Sequence, residues 1–347
     1  MNAATNKVRW GVLGAAGIAR RRTIPEGIIP ATNAELAAVF DPIGGEAVAK
    51  EFGVTYCATE DDLLAQDIDA VYIATPVFLH NKQVRAAAKA GKHVLCEKPL
   101  GLTVDEAEAA LKACNDAGVK LGTALMMRFH ACHVEAKKLI DAGNIGTPVL
   151  GRAQLSCWYP PMDGAWRQDP ARGGGGSLMD MGCHCTDLLE MLFGRIVSVT
   201  CQTANLVHDY KSEDTATVLL RFENGAMGMV DTLFNVPDTS VLSRLEIYGS
   251  KGSIMSEGTI GQGEAGSLQL RLSDAGGYDA QQQRSGDGGP QTIEPTPANP
   301  YRGEIEHFSQ AILDDTQPTI GGELGVWTQR VMAACYESAR TGKTITL

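Results

Sequence analysis

Two stretches of this chain combine residue types that can hold an oxygen and move its proton. The first is His93-Val94-Leu95-Cys96-Glu97-Lys98-Pro99-Leu100, an apolar run that ends in a charged pair and is stopped by proline. An ammonium at a strand's carboxyl end sits where open α/β sheets bind ligands. Pro99 fixes its own φ and X-Pro bonds have access to the cis form, so this end can aim Lys98 in one direction. The second stretch is Ser177-Leu178-Met179-Asp180-Met181-Gly182-Cys183-His184-Cys185-Thr186-Asp187. Asp180 and His184 are four residues apart, so on a helix they share a face. A neutral imidazole can take the proton of an alcohol while hydride leaves the same carbon, with a carboxylate orienting it or holding its charge.

Each stretch also has a plain reading. Glu97-Lys98 alone is a solvated pair, and a lone His184 on an amphipathic helix is a hydrogen-bonded core residue. Ser177-x-x-Asp180 is itself a capping box, with Asp180 reaching back to the helix start. Cys183 and Cys185 flank His184 and invite a zinc reading. Three consecutive residues on a helix do not converge tetrahedrally, and Cys132-His133 is too isolated to complete a site, so no metal is expected.

The elements before Lys98 are those of a nucleotide-binding fold. Val8–Leu13 reads as a strand, and Gly14-Ala15-Ala16-Gly17-Ile18-Ala19 turns from it into a helix. Against Gly-x-Gly-x-x-Gly/Ala, Gly14 and Ala19 match, and Ala16 stands where the middle glycine is usual. Gly17 keeps the turn supple, and free N–H groups at the helix start would face phosphates. A second strand ends in Asp41, whose carboxylate can accept from an adenosine ribose diol and would repel a 2′-phosphate, favouring NAD over NADP. Arg20, Arg21 and Arg22 keep NADP as the alternative. Strands ending at Thr75-Pro76 and Glu97-Lys98, with helices between them capped by Thr59 and Thr103, continue the alternation to Ala124.

Beyond residue 124 the texture changes. A helix over residues 130–141 is followed by a strand, by a loop from Tyr159 to Gly176 carrying Trp166 and Arg167, and by one helix from Ser177 to Phe193. Strands at 196–206, 215–222, 226–234 and 243–248 come in succession, which indicates an antiparallel sheet. Residues 258–299 read as irregular surface with one strand pair, and two helices close the chain. The expected architecture is an α/β Rossmann-type doubly wound domain over 1–124, followed by an α+β domain over 125–347 with a large, mostly antiparallel open sheet.

The 347 residues carry a formal net charge of −11, which argues against nucleic acid or an anionic membrane as partner. Residues 1–7 contain no signal-peptide apolar block, and nine scattered cysteines fit a reducing compartment, so the cytoplasm is expected.

Taken jointly, residues 11–19, Ala74-Thr75-Pro76 with His80, residues 91–99, Met127-Arg128-Phe129, and Gly174 to Gly182 with His184 resemble the glucose–fructose oxidoreductase/inositol dehydrogenase/rhizopine-catabolism (Gfo/Idh/MocA) family along nearly the whole chain. Tyr159-Pro160-Pro161, Trp166-Arg167 and Gly325-Val326-Trp327 resemble its 1,5-anhydro-fructose reductase branch, which is usually NADP-dependent, whereas Asp41-Pro42 looks more like the NAD-using members. The resemblance implies a nicotinamide-dependent dehydrogenase or reductase of a sugar, anhydro-sugar or cyclic polyol, with Lys98, Asp180 and His184 as its catalytic triad. It implies a cis Lys98-Pro99 bond, Lys98 near the nicotinamide, and dimers or tetramers formed through the second sheet. On this reading Gly14, Ala16, Gly17, Ile18, Asp41, Thr75, Pro76, His80, Glu97, Lys98, Trp166 and Arg167 hold the cofactor. Arg128, Tyr159, Trp166, Arg167, Asp180 and His184 line the substrate pocket. An NAD-dependent glycosidase of the same fold, without net redox change, and a non-catalytic sugar or nucleotide sensor are the alternatives.

Overall fold

The computed structural model describes residues 7–273, 280 and 289–347. The reading of residues 1–6, and part of that for 258–299, lies outside the described residues. The first sheet contains β1 (Val8–Leu13), β2 (Ala34–Phe40), β3 (Thr55–Tyr56), β4 (Ala70–Ile73), β5 (His93–Glu97) and β6 (Leu121–Ala124). Its order is β3-β2-β1-β4-β5-β6, with every pair parallel. β4 and β6 are buried along their whole lengths, as strands covered on both faces must be. Thr59 and Thr103 cap crossover helices by accepting from the N–H groups of Asp62 (3.0 Å) and Glu106 (3.2 Å). Strand order reverses between β1 and β4, which places a ligand crevice outside the carboxyl ends of the strands.

The first crossover departs from the expected regular helix. Ala15–Ile28 is wound with π geometry, leaves helical angles at Gly17 (φ −81, ψ −123) and contains Pro25. Proline supplies no N–H, and a wider turn absorbs the missing bond.

The second sheet holds β7 (Pro148–Ser156), β8 (Ile196–Ala204), β9 (Thr215–Phe222), β10 (Met227–Leu233), β11 (Arg244–Gly249), β12 (Gly252–Glu257), β13 (Ser267–Leu272), β14 (Gln291–Ile293) and β15 (Ile345–Thr346). They run in the order β14-β13-β12-β11-β7-β10-β9-β8-β15, antiparallel except where β7 meets β10. β13 and β14 are the strand pair expected within 258–299. β9 alternates buried and exposed residues, so one face packs and the other stays open. The packed face lies under the helix Cys183–Phe193, with Phe193 stacked on Phe222 at 5.2 Å. The open face carries Leu219 and Met227 beside the Arg152–Glu246 ion pair.

Late in the chain, the helix Pro300–Leu313 returns to the first sheet. Asn299 caps it, and Trp10 both donates to Ser309 Oγ (3.1 Å) and packs on Phe308. No helix among the described residues is long and apolar enough to cross a membrane. All nine cysteines are free thiols.

Candidate active site

Gly14 closes the turn after β1 with φ 82, and a Cβ there would lie 2.7 Å from the Ala74 carbonyl carbon and the Thr75 nitrogen. Only glycine satisfies both the angle and the approach to β4's end. Gly17 is exposed, and a Cβ on it would meet nothing within 4 Å, so its backbone borders open space at a helix start. That is the cradle a diphosphate needs. Ala16 and Ile18 flank it half-buried. Asp41, after β2, accepts from Ala16 N (3.1 Å), Ile43 N (2.9 Å) and Gly44 N (3.0 Å). Its two oxygens tie the glycine turn to the next loop and retain lone pairs for a diol.

The neighbouring strand ends are tied differently. Thr75 Oγ1 donates to Gln83 Oε1 (2.5 Å), and Pro76 leads into the short turn Val77–Leu79. His80 is buried, with Nδ1 2.8 Å from the Pro99 carbonyl and Nε2 2.8 Å from the Thr75 carbonyl. His80, expected at the cofactor, lies between the ends of β4 and β5 with both nitrogens facing carbonyls, of which the neutral ring donates to one. Glu97 accepts a short hydrogen bond from the Tyr72 hydroxyl (2.5 Å), behind the crevice.

Lys98 leaves the end of β5 on a cis Lys98-Pro99 peptide. Its Nζ donates to Asp180 Oδ1 (3.0 Å) and to the Asp180 carbonyl (2.6 Å), with the two side chains 10% and 22% exposed. Arg167 Nε lies 2.9 Å from the same Oδ1, an ion pair without an aligned hydrogen bond. The Arg167 guanidinium covers the Trp166 ring at 4.1 Å, and the Tyr159 hydroxyl lies beside Arg167. Tyr159 in turn packs its ring on Phe234 at 4.8 Å. Burial works against charge on Asp180, but Arg167 and Lys98 outweigh it and hold the carboxyl well below its usual range. Burial would favour a neutral amine at Lys98, and Asp180 overcomes it, so the ammonium persists above its ordinary pKa. For His184, burial and Lys98 push the imidazole well below its ordinary value against the pull of Asp180. The result is one carboxylate between two cations, beside a neutral ring. A positive ledge next to a proton acceptor favours an oxygen that gains negative charge.

The segment bearing Asp180 differs from the single helix expected over 177–193. Leu178–Gly182 is a π-turn, and the α-helix begins at Cys183. The wider turn shifts register, so Asp180 points to Lys98 and Arg167 and makes no hydrogen bond to His184. His184 Nδ1 is buried without a partner among the described residues. The capping box is not formed either: Ser177 has helical angles and donates to the Thr232 carbonyl (3.3 Å). The cap comes from Glu213, whose Oε1 accepts from Gly176 N (2.9 Å), Leu178 N (3.0 Å) and the Tyr336 hydroxyl (2.9 Å). A Cβ on Gly175 or Gly176 would collide with Tyr336 or with the Glu213 backbone, which explains this glycine run. Sequence reading missed Glu213, because it lies in a connection remote from the helix it caps.

Arg128, expected in the sugar pocket, is instead forked onto buried Asp187, with Nε 2.8 Å from Oδ2 and Nη2 2.6 Å from Oδ1. The pair pins the turn Met126–Phe129 to the helix Cys183–Phe193. No group of three or more metal-ligating side chains occurs among the described residues.

Comparison with known proteins places this geometry. A family model described as an oxidoreductase family with an NAD-binding Rossmann fold matches residues 8–125, and the GFO/IDH/MocA C-terminal domain matches residues 133–255. The chain belongs to the GFO/IDH/MocA oxidoreductase family. It is 31% identical over 341 residues to 1,5-anhydro-D-fructose reductase of Ensifer adhaerens, covering 96% of this chain and 97% of that one. It is 32% identical over 345 residues to D-xylose 1-dehydrogenase (NADP(+)) 2 of Haloferax volcanii, covering 97% and 99%. The crystal structure of aldose-aldose oxidoreductase from Caulobacter crescentus complexed with glycerol superposes with a TM-score of 0.86 at 28% identity, over 98% of this chain and 100% of that chain. The first sheet is thus an NAD-binding Rossmann domain, and the open cradle at Gly17 fits the cofactor's diphosphate.

Proposed function

We propose that this enzyme transfers hydride between NAD and a carbinol or carbonyl carbon of a sugar, anhydro-sugar or cyclic polyol. The observation that carries the proposal is the Lys98–Asp180–Arg167 ion cluster beside neutral His184, at the strand ends that face the cofactor crevice. When bound, the nicotinamide supplies the hydride acceptor or donor. Lys98 holds the reacting oxygen with its ammonium and lowers the pKa of a hydroxyl. His184 takes that hydroxyl's proton during oxidation and returns it during reduction. Asp180 keeps Lys98 charged and aimed, while Arg167, Trp166 and Tyr159 wall the pocket. General acid–base help of this kind is worth about two to four powers of ten in rate.

Asp41, anchored at the glycine turn, supports NAD; the NADP named for the Haloferax relative keeps the phosphorylated cofactor as the second arm of the test. The reductase and dehydrogenase activities named for the Ensifer and Haloferax relatives carry net redox change, which supports a dehydrogenase or reductase over a glycosidase or a sensor. We also infer that the open face of the second sheet, with Leu219 and Met227, packs against a second copy in a homodimer or homotetramer. The test is a screen of aldoses, anhydro-sugars and cyclic polyols with NAD and NADP, in both directions, read by reduced-nicotinamide fluorescence. Turnover with net change in reduced nicotinamide on a member of these classes is the expected result. Free sugar released from a glycoside with no such change would replace the proposal with the glycosidase.

A further inference from the structure

Near Glu97 lies a buried acid that the reaction scheme does not use. Glu304, on the helix Pro300–Leu313, is 0% exposed, and neither of its carboxyl oxygens has a hydrogen-bond partner among the described residues. The Leu125 N–H leans toward it without reaching bond geometry. The titratable groups that face Glu304 are Glu97 from the end of β5, Tyr72 from β4, and Tyr301 on its own helix. Arg22 and Glu26, on the first crossover, act on Tyr301 rather than on Glu304. Among the described residues, no cation is one of these neighbours.

Glu97 has different surroundings. It accepts the Tyr72 hydroxyl proton at 2.5 Å, while Tyr72 itself accepts from Thr23 Oγ1 at 3.0 Å. Its charge is also supported by Lys98 and Arg167. A buried carboxyl group and a half-buried one therefore repel each other, and Lys98 and Arg167 act on Glu97 alone of the two. An ionised carboxylate without a partner in a dry interior is costly, so one proton stays with the pair on the side that lacks cations.

We propose that Glu304 is a protonated positioning residue, whose neutrality leaves Glu97 to carry the pair's single negative charge next to Lys98. Glu304 would thus act on hydride transfer only through Glu97, and this role rests on the catalytic reading of Lys98. Burial, and then Glu97, push the Glu304 carboxyl well above its ordinary range. Burial raises Glu97 as well, against Lys98, Tyr72 and Arg167.

The Glu304→Gln variant keeps the neutral shape and tests the proposal in two ways. The first is thermodynamic and needs no substrate. A group whose folded pKa is raised contributes stability below its unfolded pKa and loses it as pH rises toward the folded value. Against wild type, the stability of Glu304→Gln should hold a constant offset below about pH 4. Above that, it should move in the variant's favour by about tenfold in unfolding constant per pH unit. A flat offset, or one moving against the variant, overturns the protonated state. The second is kinetic. Wild-type kcat/KM should fall as rising pH ionises Glu304 against Glu97, and the variant should lack that limb while Glu97→Gln is depressed at every pH. Superimposable profiles for wild type and Glu304→Gln would overturn the positioning role. If wild type transfers no hydride at all, the catalytic reading of Lys98 fails and the positioning role with it, while the thermodynamic arm still decides the proton's location.

Discussion

Two glycine-rich turns lead into helices in this molecule, and they use glycine for opposite ends. At Gly14–Gly17 the turn opens outward: Gly14 fits a left-handed angle against β4, and Gly17 borders empty space at a helix start. At Gly173–Ser177 the turn is closed inward: the N–H groups of Gly176 and Leu178 both end on Glu213, and Tyr336 fills the space where side chains would be. The first turn gives Ala16 N to Asp41 and, with no capping side chain, leaves its other donors for a ligand. The second has its donors satisfied by the protein and serves to deliver Asp180 and His184 on a firm base. A glycine run therefore marks close backbone approach in both places, and only the partners say whether a cofactor or a packed side chain is being approached.

Substitutions should separate the two turns by what they change. The largest effect is expected for Gly176→Ala, whose Cβ meets the Glu213 backbone. It should lower kcat by about a hundredfold or more through misplaced Asp180 and His184, with cofactor Kd within about threefold of wild type wherever the variant folds. Gly14→Ala should do the reverse, weakening cofactor binding by about tenfold or more, measured by quenching of protein fluorescence, with a smaller change in kcat at saturation. Glu213→Ala strands two buried N–H groups and the Tyr336 hydroxyl. It should cost about 1–3 kcal/mol in denaturant unfolding and leave cofactor Kd unmoved. The smallest effect belongs to Ser177→Ala, about 1 kcal/mol, because its hydroxyl bonds only Thr232, whose own hydroxyl is the single donor left stranded, and it caps nothing. A loss above that range, with Asp180→Asn matching it in stability, would restore the capping box and blur the comparison.

The first turn was legible in the sequence, whereas the second was legible in its residues and not in its bonds. Gly14, Asp41, Thr75 and Lys98 each follow a strand in a regular alternation, so local pattern places them at the crevice. Asp180 and His184 were found by residue type, but the Ser177-x-x-Asp180 spacing pointed to a cap that Glu213 supplies from a distant connection. The π-turn at Leu178–Gly182 has no local signature, since what widens it is its tertiary setting: Glu213 behind, and Lys98 and Arg167 in front. Arg128 and Glu304 show the same limit. Arg128 meets its partner Asp187, and Glu304 the repulsion of Glu97, across the fold, and nothing near either residue announces them.

The pH behaviour should also reflect the second turn. Because burial and Lys98 hold His184 well below an ordinary histidine, the ring stays neutral as pH falls through about 6.5, the value of a free imidazole. The oxidation rate should therefore show no loss there from this group, and its acid limb should lie lower. A midpoint at the free-imidazole value would mean that His184 is solvated or is not the base.

The central claim is that Lys98 serves the reacting oxygen rather than the cofactor's affinity. Single-turnover hydride transfer at saturating cofactor and substrate, measured for Lys98→Met alongside cofactor Kd, tests it most directly. The account predicts a rate lower by about two to four powers of ten with Kd within about threefold of wild type. Transfer within about threefold of wild type, or a loss wholly explained by weaker cofactor binding, would contradict it.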